Sequence, residues 1–202
     1  KTPQIEFFPI SFSKYKSGFD FIQSELAYGN SFLCNLTYPT AIVSNLNLEE
    51  IFNYSVAPFK MYKQNQFVVF SPERFVKMQG DSIITEPMKG TIDANIPMAK
   101  DKLLSSKKEF SEHCTVVDLL RNDLSMVATQ VVVEEFRKIS KVPTHKGELL
   151  QMSSLISGKL PKNWKEQIGS ILHAMLPAGS ITGAPKQKTM EIIHSAEAYD
   201  RG

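Results

Sequence analysis

The stretch QFVVFSPERFVKMQGDSIITEPMKGT, residues 66–91, reads as a meander of short strands, with Gly80-Asp81 placed for a tight turn. Strands joined by tight turns pair antiparallel, because a parallel pair needs a long crossover. Downstream, ATQVVVEEFRKISKV (128–142) is the strongest strand pattern of the chain. KGELLQMSSLISGKL (146–160) has an apolar pattern that fits a strand or a helix. Upstream, SFLCNLTYPTAI (31–42) reads as another strand. Strands and helices do not alternate regularly enough for a doubly wound sheet. The expected class is α+β, with largely antiparallel sheets and packed helices.

The helices announce themselves by spacing and caps. SKYKSGFDFIQSELAYGN (13–30) puts Tyr15, Phe19, Ile22 and Leu26 on one face and stops at Gly29-Asn30. Asn47 and Glu50 have the spacing of a capping box. From Ser106 the pattern turns helical through Phe110, His113 or Cys114, Val117 and Leu120. Another helix is expected around Ile168, Ile171, Leu172 and Met175, and a last one carries Met190, Ile193 and Ala196.

Composition excludes several classes. The 202 residues are 42% hydrophobic with a formal net charge of +2, enough apolar material for a real core. Lys and Arg are scattered without a basic run, so nucleic acid is not expected as a partner. No apolar run approaches the ~18 residues of a membrane span. Cys34 and Cys114 lack metal-ligand spacing and sit among apolar neighbours, which suggests buried free thiols in a reducing, cytoplasmic setting. No signal-peptide pattern is read in these residues, and the sequence opens at Lys1 without a methionine, so the native start is expected to have been lost or removed.

Three segments can carry chemistry. LPAGSITGAPKQKTMEII (176–193) has the glycines and hydroxyls of an anion loop ahead of a helix, with Pro185 suited to the first turn. It is not a Walker loop, since Gly179 and Gly183 have three residues between them. An ordinary glycine-rich helix start capped by its own hydroxyls fits the spacing equally well. In EPMKGT (86–91), Lys89 stands between a strand end and a glycine turn, as a nucleophile or base if burial lowers its pKa, or as a solvated lysine. In KKEFSEHCTVVDLLRNDL (107–124), Glu109 and Glu112 share a helical face, with Asp123 three turns further along. Paired carboxylates suit Mg²⁺; a surface face with a Lys108–Glu112 ion pair accounts for them as well. The four histidines do not cluster: His113 and His173 read as core or half-buried, His145 and His194 as surface.

Together these segments are more specific than apart. SPERF (71–75), PMKGT (87–91), SEHCTVVDLLRNDL (111–124) and PAGSITGAPK with MEII (177–193), in this order, resemble the chorismate-utilising enzymes. That family includes the component I chains of anthranilate and aminodeoxychorismate synthases and the isochorismate and salicylate synthases. The resemblance runs from about Phe8 to Gly202 and implies the anthranilate synthase component I-like fold. Residues 1–202 would form a partial catalytic domain, incomplete at both ends and lacking the family's C-terminal third, so the segment alone is expected to be inactive.

By resemblance, Glu112 with Glu109 behind it would hold Mg²⁺ against the ring carboxylate of chorismate. Gly179, Ser180, Thr182 and Gly183 would line the pocket for a substrate carboxylate, and Thr91 and Gln151 would also contact substrate. Anthranilate synthases have alanine at the position of Lys89, whereas aminodeoxychorismate synthases have a lysine thought to attack ring carbon C2. Isochorismate and salicylate synthases carry a water-activating lysine where this chain has Leu33. Gln151 occupies the place of a proton-transferring histidine in many relatives. The resemblance therefore points to aminodeoxychorismate synthase component I, on the path to p-aminobenzoate and folate, with ammonia from a glutamine amidotransferase. The alternatives are anthranilate synthase component I, or a truncated non-catalytic subunit that binds the amidotransferase.

Overall fold

The computed structural model describes residues 2–144 and 147–201. Strand β1 (Ile5–Phe8) is followed by helix α1 (Phe12–Tyr28), β2 (Ala41–Ser44) and α2 (Leu48–Tyr54). Next come β3 (Phe59–Lys63), β4 (Phe67–Ser71), β5 (Lys77–Gln79), β6 (Ser82–Thr85) and β7 (Met88–Asp93). Helices α3 (Ala99–Ser105) and α4 (Lys107–Ser125) precede the long strands β8 (Thr129–Thr144) and β9 (Gly147–Lys159). After a 3-10 turn (Trp164–Gln167), the chain ends in α5 (Ile168–Met175), α6 (Gly179–Thr182) and α7 (Lys186–Glu197).

Every ladder is antiparallel, as the meander required. β9 organises the main sheet: β8 runs along one edge, while β7 and β6 share the other, β7 against residues 149–153 and β6 against 156–159. β5 closes on β6 across the expected Gly80-Asp81 turn, where Gly80 has φ +64°. β9 was ambiguous in sequence because both its edges are paired and residues 152–154 and 156–158 are buried in succession. A strand covered on both faces loses the period-two signal.

Helix α4 lies across this sheet and supplies the largest share of the core. Val116, Val117, Leu120 and Leu124 meet Ile83, Ile156 and Leu160, with Ile171 and Met175 of α5 behind them. Ser106 caps α4 by accepting from the Glu109 amide at 3.3 Å. The capping box of α2 forms: the Glu50 amide donates to Asn47 at 2.8 Å and the Asn47 amide to Glu50 at 2.9 Å. Gly29, φ +82°, ends α1 as read from sequence.

Four expectations change. Residues 31–40 form no strand; only Ala41–Ser44 does. That segment pairs instead with the loop before α7, where the Phe32 amide donates to the Ala184 carbonyl at 2.7 Å and the Ala184 amide to Leu33 at 3.2 Å. On α1, Ile22 is buried whereas Tyr15 and Phe19 stay exposed and stack on each other at 6.0 Å. His173 is exposed and both cysteines are half-buried free thiols, while His113 is buried and His194 exposed as expected. His145 lies outside the described residues.

Candidate functional site

Lys89 owes its direction to an irregularity in β7. Met88 pairs with Ser153 and Thr91 with Gln151, so β7 uses one residue more than β9 between these two pairs. Gly90, φ +94°, absorbs the bulge; an added Cβ would meet Glu109 and Met152 at 3.1 Å. The bulge leaves Thr91 beside Gln151 on one face of the sheet and sends Lys89 to the other, towards α4. There Lys89 lines a cavity of about 510 Å³ with Val116 and Leu120 of α4, Ala178 and Ser180 of the 176–186 loop, and Glu73 and Glu86.

Sequence reasoning singled out Lys89 but not the two carboxylates around it. Glu73 stands in the SPERF loop, whose backbone is fixed by Ser71: its hydroxyl donates to the Glu73 carbonyl at 2.8 Å and accepts from the Glu73 amide at 3.1 Å. Partial enclosure at the cavity wall pushes the Glu73 carboxyl above the usual range, and the nearby Lys89 charge opposes that shift. Glu86 accepts from the Ser153 hydroxyl at 3.0 Å and borders a second, smaller cavity of about 230 Å³ as well. Glu73 belongs to the SPERF motif, but a lone Glu-Arg pair in a loop gives no sign of facing a lysine.

The 176–186 loop does hold an anion, and the anion is internal. Asp123, 1% exposed, accepts from the Gly179 amide at 2.6 Å and from Lys186 Nζ at 3.5 Å. Asp123 therefore does not continue the Glu109–Glu112 face; it anchors the loop. Of the loop residues predicted to line the pocket, Ser180 does so. Gly179, Thr182 and Gly183 are buried and shape the loop from within. Their polar groups are used locally: Thr182 donates to the Ala178 carbonyl at 3.3 Å, and the Gly183 amide to Gly179 at 2.9 Å.

Removing Asp123 should be costly, because Asp123→Ala leaves a buried amide and a lysine unpartnered. A loss of about 3 kcal/mol is expected in denaturant unfolding of the complete polypeptide. A loss below about 1 kcal/mol would mean that the loop does not depend on this anchor.

Gln151 and Thr91 are on the sheet face away from Lys89, and Gln151 borders the smaller cavity. The walls of the two cavities share Arg74, Glu86 and Met88. Glu109 and Glu112 lie on α4 beyond the lining of either cavity. Glu109 abuts the Gly90 bulge, and Glu112 is only loosely paired with Lys108 at 3.8 Å. Among the described residues no three His, Cys, Asp or Glu side chains gather as a metal cage. Two hard carboxylates one turn apart suit a magnesium ion that keeps most of its waters.

Behind Lys89 sits His113, fully buried, with Nε2 2.6 Å from the Ser154 hydroxyl. Its Nδ1 has no hydrogen-bond partner among the described residues. Burial pulls the imidazole pKa down, the Lys89 backbone opposes the shift, and the Arg137 charge adds to it.

The comparisons with known proteins follow the same segments. A family model described as "chorismate binding enzyme" matches residues 2–202. An "Uncharacterized PabA-like protein" of Haemophilus influenzae is 56% identical over 96% of this chain and 59% of its own length. Aminodeoxychorismate synthase component 1 of Bacillus subtilis is 32% identical over 78% of this chain and 37% of its own. The solved structure of anthranilate synthase component I from Streptococcus pneumoniae superposes with a TM-score of 0.75 at 24% identity, covering 98% of this chain and 46% of that one. This likeness supports the fold alone. The chain spans 59% of the length of that Haemophilus relative and 60% of the length of a second PabA-like protein, from Pasteurella multocida. With the family model matched from Thr2 to Gly202, and with the fold shared, this chain belongs to the chorismate-binding enzymes.

Proposed function

We propose that the polypeptide is an aminodeoxychorismate synthase component I, which replaces the C4 hydroxyl of chorismate by an amino group. The observation that carries this reading is Lys89, aimed by the β7 bulge into a cavity that it shares with Glu73. A carboxylate there can take the proton of the lysine ammonium and return it to a leaving hydroxyl. The free amine adds at ring carbon C2, the two ring double bonds shift towards C4, and the hydroxyl leaves as water with the Glu73 proton. Ammonia then adds at C4, the double bonds shift back, and Lys89 is expelled. The sum is chorismate plus ammonia giving 4-amino-4-deoxychorismate plus water, a double displacement.

Glu109 and Glu112, which stand on α4 beyond the lining of the Lys89 cavity, would hold Mg²⁺, and its charge would neutralise a ring carboxylate and favour departure of the hydroxyl. Ser180 offers a hydroxyl to a substrate carboxylate from the loop wall. Thr91 and Gln151 fit this scheme less directly, since both lie on the sheet face away from Lys89. A glutamine amidotransferase would supply ammonia, and the product would feed p-aminobenzoate and folate synthesis. No described helix is long and apolar enough to cross a membrane. The free thiols support a cytoplasmic setting.

The test is product identity. The complete open reading frame, given chorismate, Mg²⁺ and ammonium, is expected to yield a non-fluorescent product with the mass of aminodeoxychorismate. Fluorescent anthranilate would replace this reading by anthranilate synthase, and no product at all would favour a binding subunit. A second expectation concerns pH. With the Glu73 carboxylate taking the lysine proton, kcat should fall as pH drops through the carboxyl's elevated pKa, because the base form is then lost. Glu73→Gln should lower kcat by about 100-fold and remove that limb of the profile. A profile unchanged in the variant would exclude Glu73 from proton transfer.

A further inference from the structure

Glu86 is a carboxylate that the fold holds in place without giving it a cation. β6 and β7 hand over along one edge of β9: Thr85 pairs with Ile156 and Met88 with Ser153, so Glu86 and Pro87 lie between the two ladders. The Ser154 amide donates to the Pro87 carbonyl at 3.1 Å and fixes this crossing. Glu86 therefore stands at a break in the sheet edge and lines both cavities. The hydroxyl of buried Ser153 donates to Glu86 Oε1 at 3.0 Å and sets its direction. Among the described residues Glu86 forms no ion pair. Lys138, whose charge reaches it, is paired with Glu135 at 3.0 Å. The exposed Arg74 guanidinium lies over the Phe59 ring, 5.7 Å from its centroid.

The smaller cavity, about 230 Å³, falls below the roughly 300–1,000 Å³ of ordinary ligand pockets. Beside Glu86 it offers the Ser140 hydroxyl and the Gln151 amide, and neither side chain is hydrogen-bonded to a described residue. One carboxylate, two neutral acceptors and little room suit a small cation that donates hydrogen bonds. Glu73 is the other carboxylate beside Lys89, but it lines the larger cavity alone.

We propose that Glu86 and the smaller cavity form the ammonium site of the amination, with Glu86 as the base that frees ammonia for C4. The inference rests on the amination reading and supplies a proton acceptor which that reading leaves unassigned. Ammonium has no lone pair with which to attack. Glu86 takes one of its protons as the C4–N bond forms and the C2–N bond to Lys89 breaks. Lys89 leaves as the neutral amine and recovers its ammonium form with the Glu86 proton. Glu73 serves the first displacement and Glu86 the second.

Glu86→Gln separates the two halves, and it keeps an acceptor for Ser153. In the complete polypeptide it should lower kcat with ammonium by about 100-fold. KM for ammonium should rise by about tenfold, the loss of one charge-assisted contact, with KM for chorismate changed less than about threefold. Without an ammonia source, the chorismate adduct on Lys89 should form in the variant as fast as in the wild type. Hydroxylamine, whose nitrogen is neutral near neutral pH, should be used equally well by both enzymes. Unchanged ammonium kinetics in Glu86→Gln, or an adduct slowed as much as turnover, would overturn the proposal; so would an equal loss with hydroxylamine. A wild type that forms no amination product would defeat the amination reading itself, whereas an aminating wild type beside an unimpaired variant would defeat this inference alone.

Discussion

Lys89→Ala is expected to slow formation of aminodeoxychorismate by about a thousandfold or more, with the fold intact and KM for chorismate little changed. The size follows from the scheme: without an amine at this position the ring carbon is never attacked, and direct displacement by ammonia must replace two easier steps by one harder one. Stability should be nearly untouched, because Lys89 is half-exposed and the bulge depends on Gly90 and not on the lysine side chain. Lys89→Arg should be nearly as slow as alanine, since a guanidinium keeps the charge and loses the nucleophile. Steady-state rates for the three enzymes check this. An arginine variant that retained most of the activity would mean that Lys89 serves only as a charge.

The largest structural effect is expected at Gly183. Its backbone, φ +85° and ψ −164°, lies in a region that essentially only glycine occupies. An added Cβ would overlap the Leu33 carbonyl oxygen and stand 2.9 Å from Thr189 Cγ2. Neither neighbour can yield: Leu33 is pinned by its bridge to Ala184, and the Thr189 side chain is held 2.8 Å from the buried Ser31 hydroxyl. Gly183→Ala should therefore cost about 4 kcal/mol or more, or prevent folding. Gly169→Ala is the matched control. That glycine sits in α5 with nothing within 4 Å of an added Cβ, and alanine there should be neutral or mildly stabilising. Denaturant unfolding of both variants gives the comparison; equal stabilities would contradict the close approach at Leu33.

Local chemistry was legible in the sequence. The Asn47–Glu50 box, the Gly29 stop, the Gly80-Asp81 turn and the α4 face all depend on residues within one or two turns of each other. Long-range geometry was not. Residues 31–40 carry a strand-like apolar pattern, yet their partner is the loop around Ala184, roughly 150 positions away, and no local signal names it. The motif PMKGT revealed Lys89, but the extra β7 residue that separates it from Thr91 and Gln151 exists only relative to β9. The same holds for Asp123. On the helix it falls in line with Glu109 and Glu112, and only the packing of α6 against α4 shows that it serves the Gly179 amide. A loop that looks ready to hold an external anion can be fully engaged by one of the protein's own carboxylates.

The central claim is that Lys89 becomes covalently bound to the ring during turnover. The direct measurement is intact-mass and peptide-mass analysis of the complete polypeptide, quenched after mixing with chorismate and Mg²⁺ in the absence of any ammonia source. The account predicts protein heavier by one chorismate less one water, with the added mass on the peptide that contains Lys89 and none in Lys89→Ala. Unmodified protein, from an enzyme that aminates chorismate normally once ammonium is added, would contradict it.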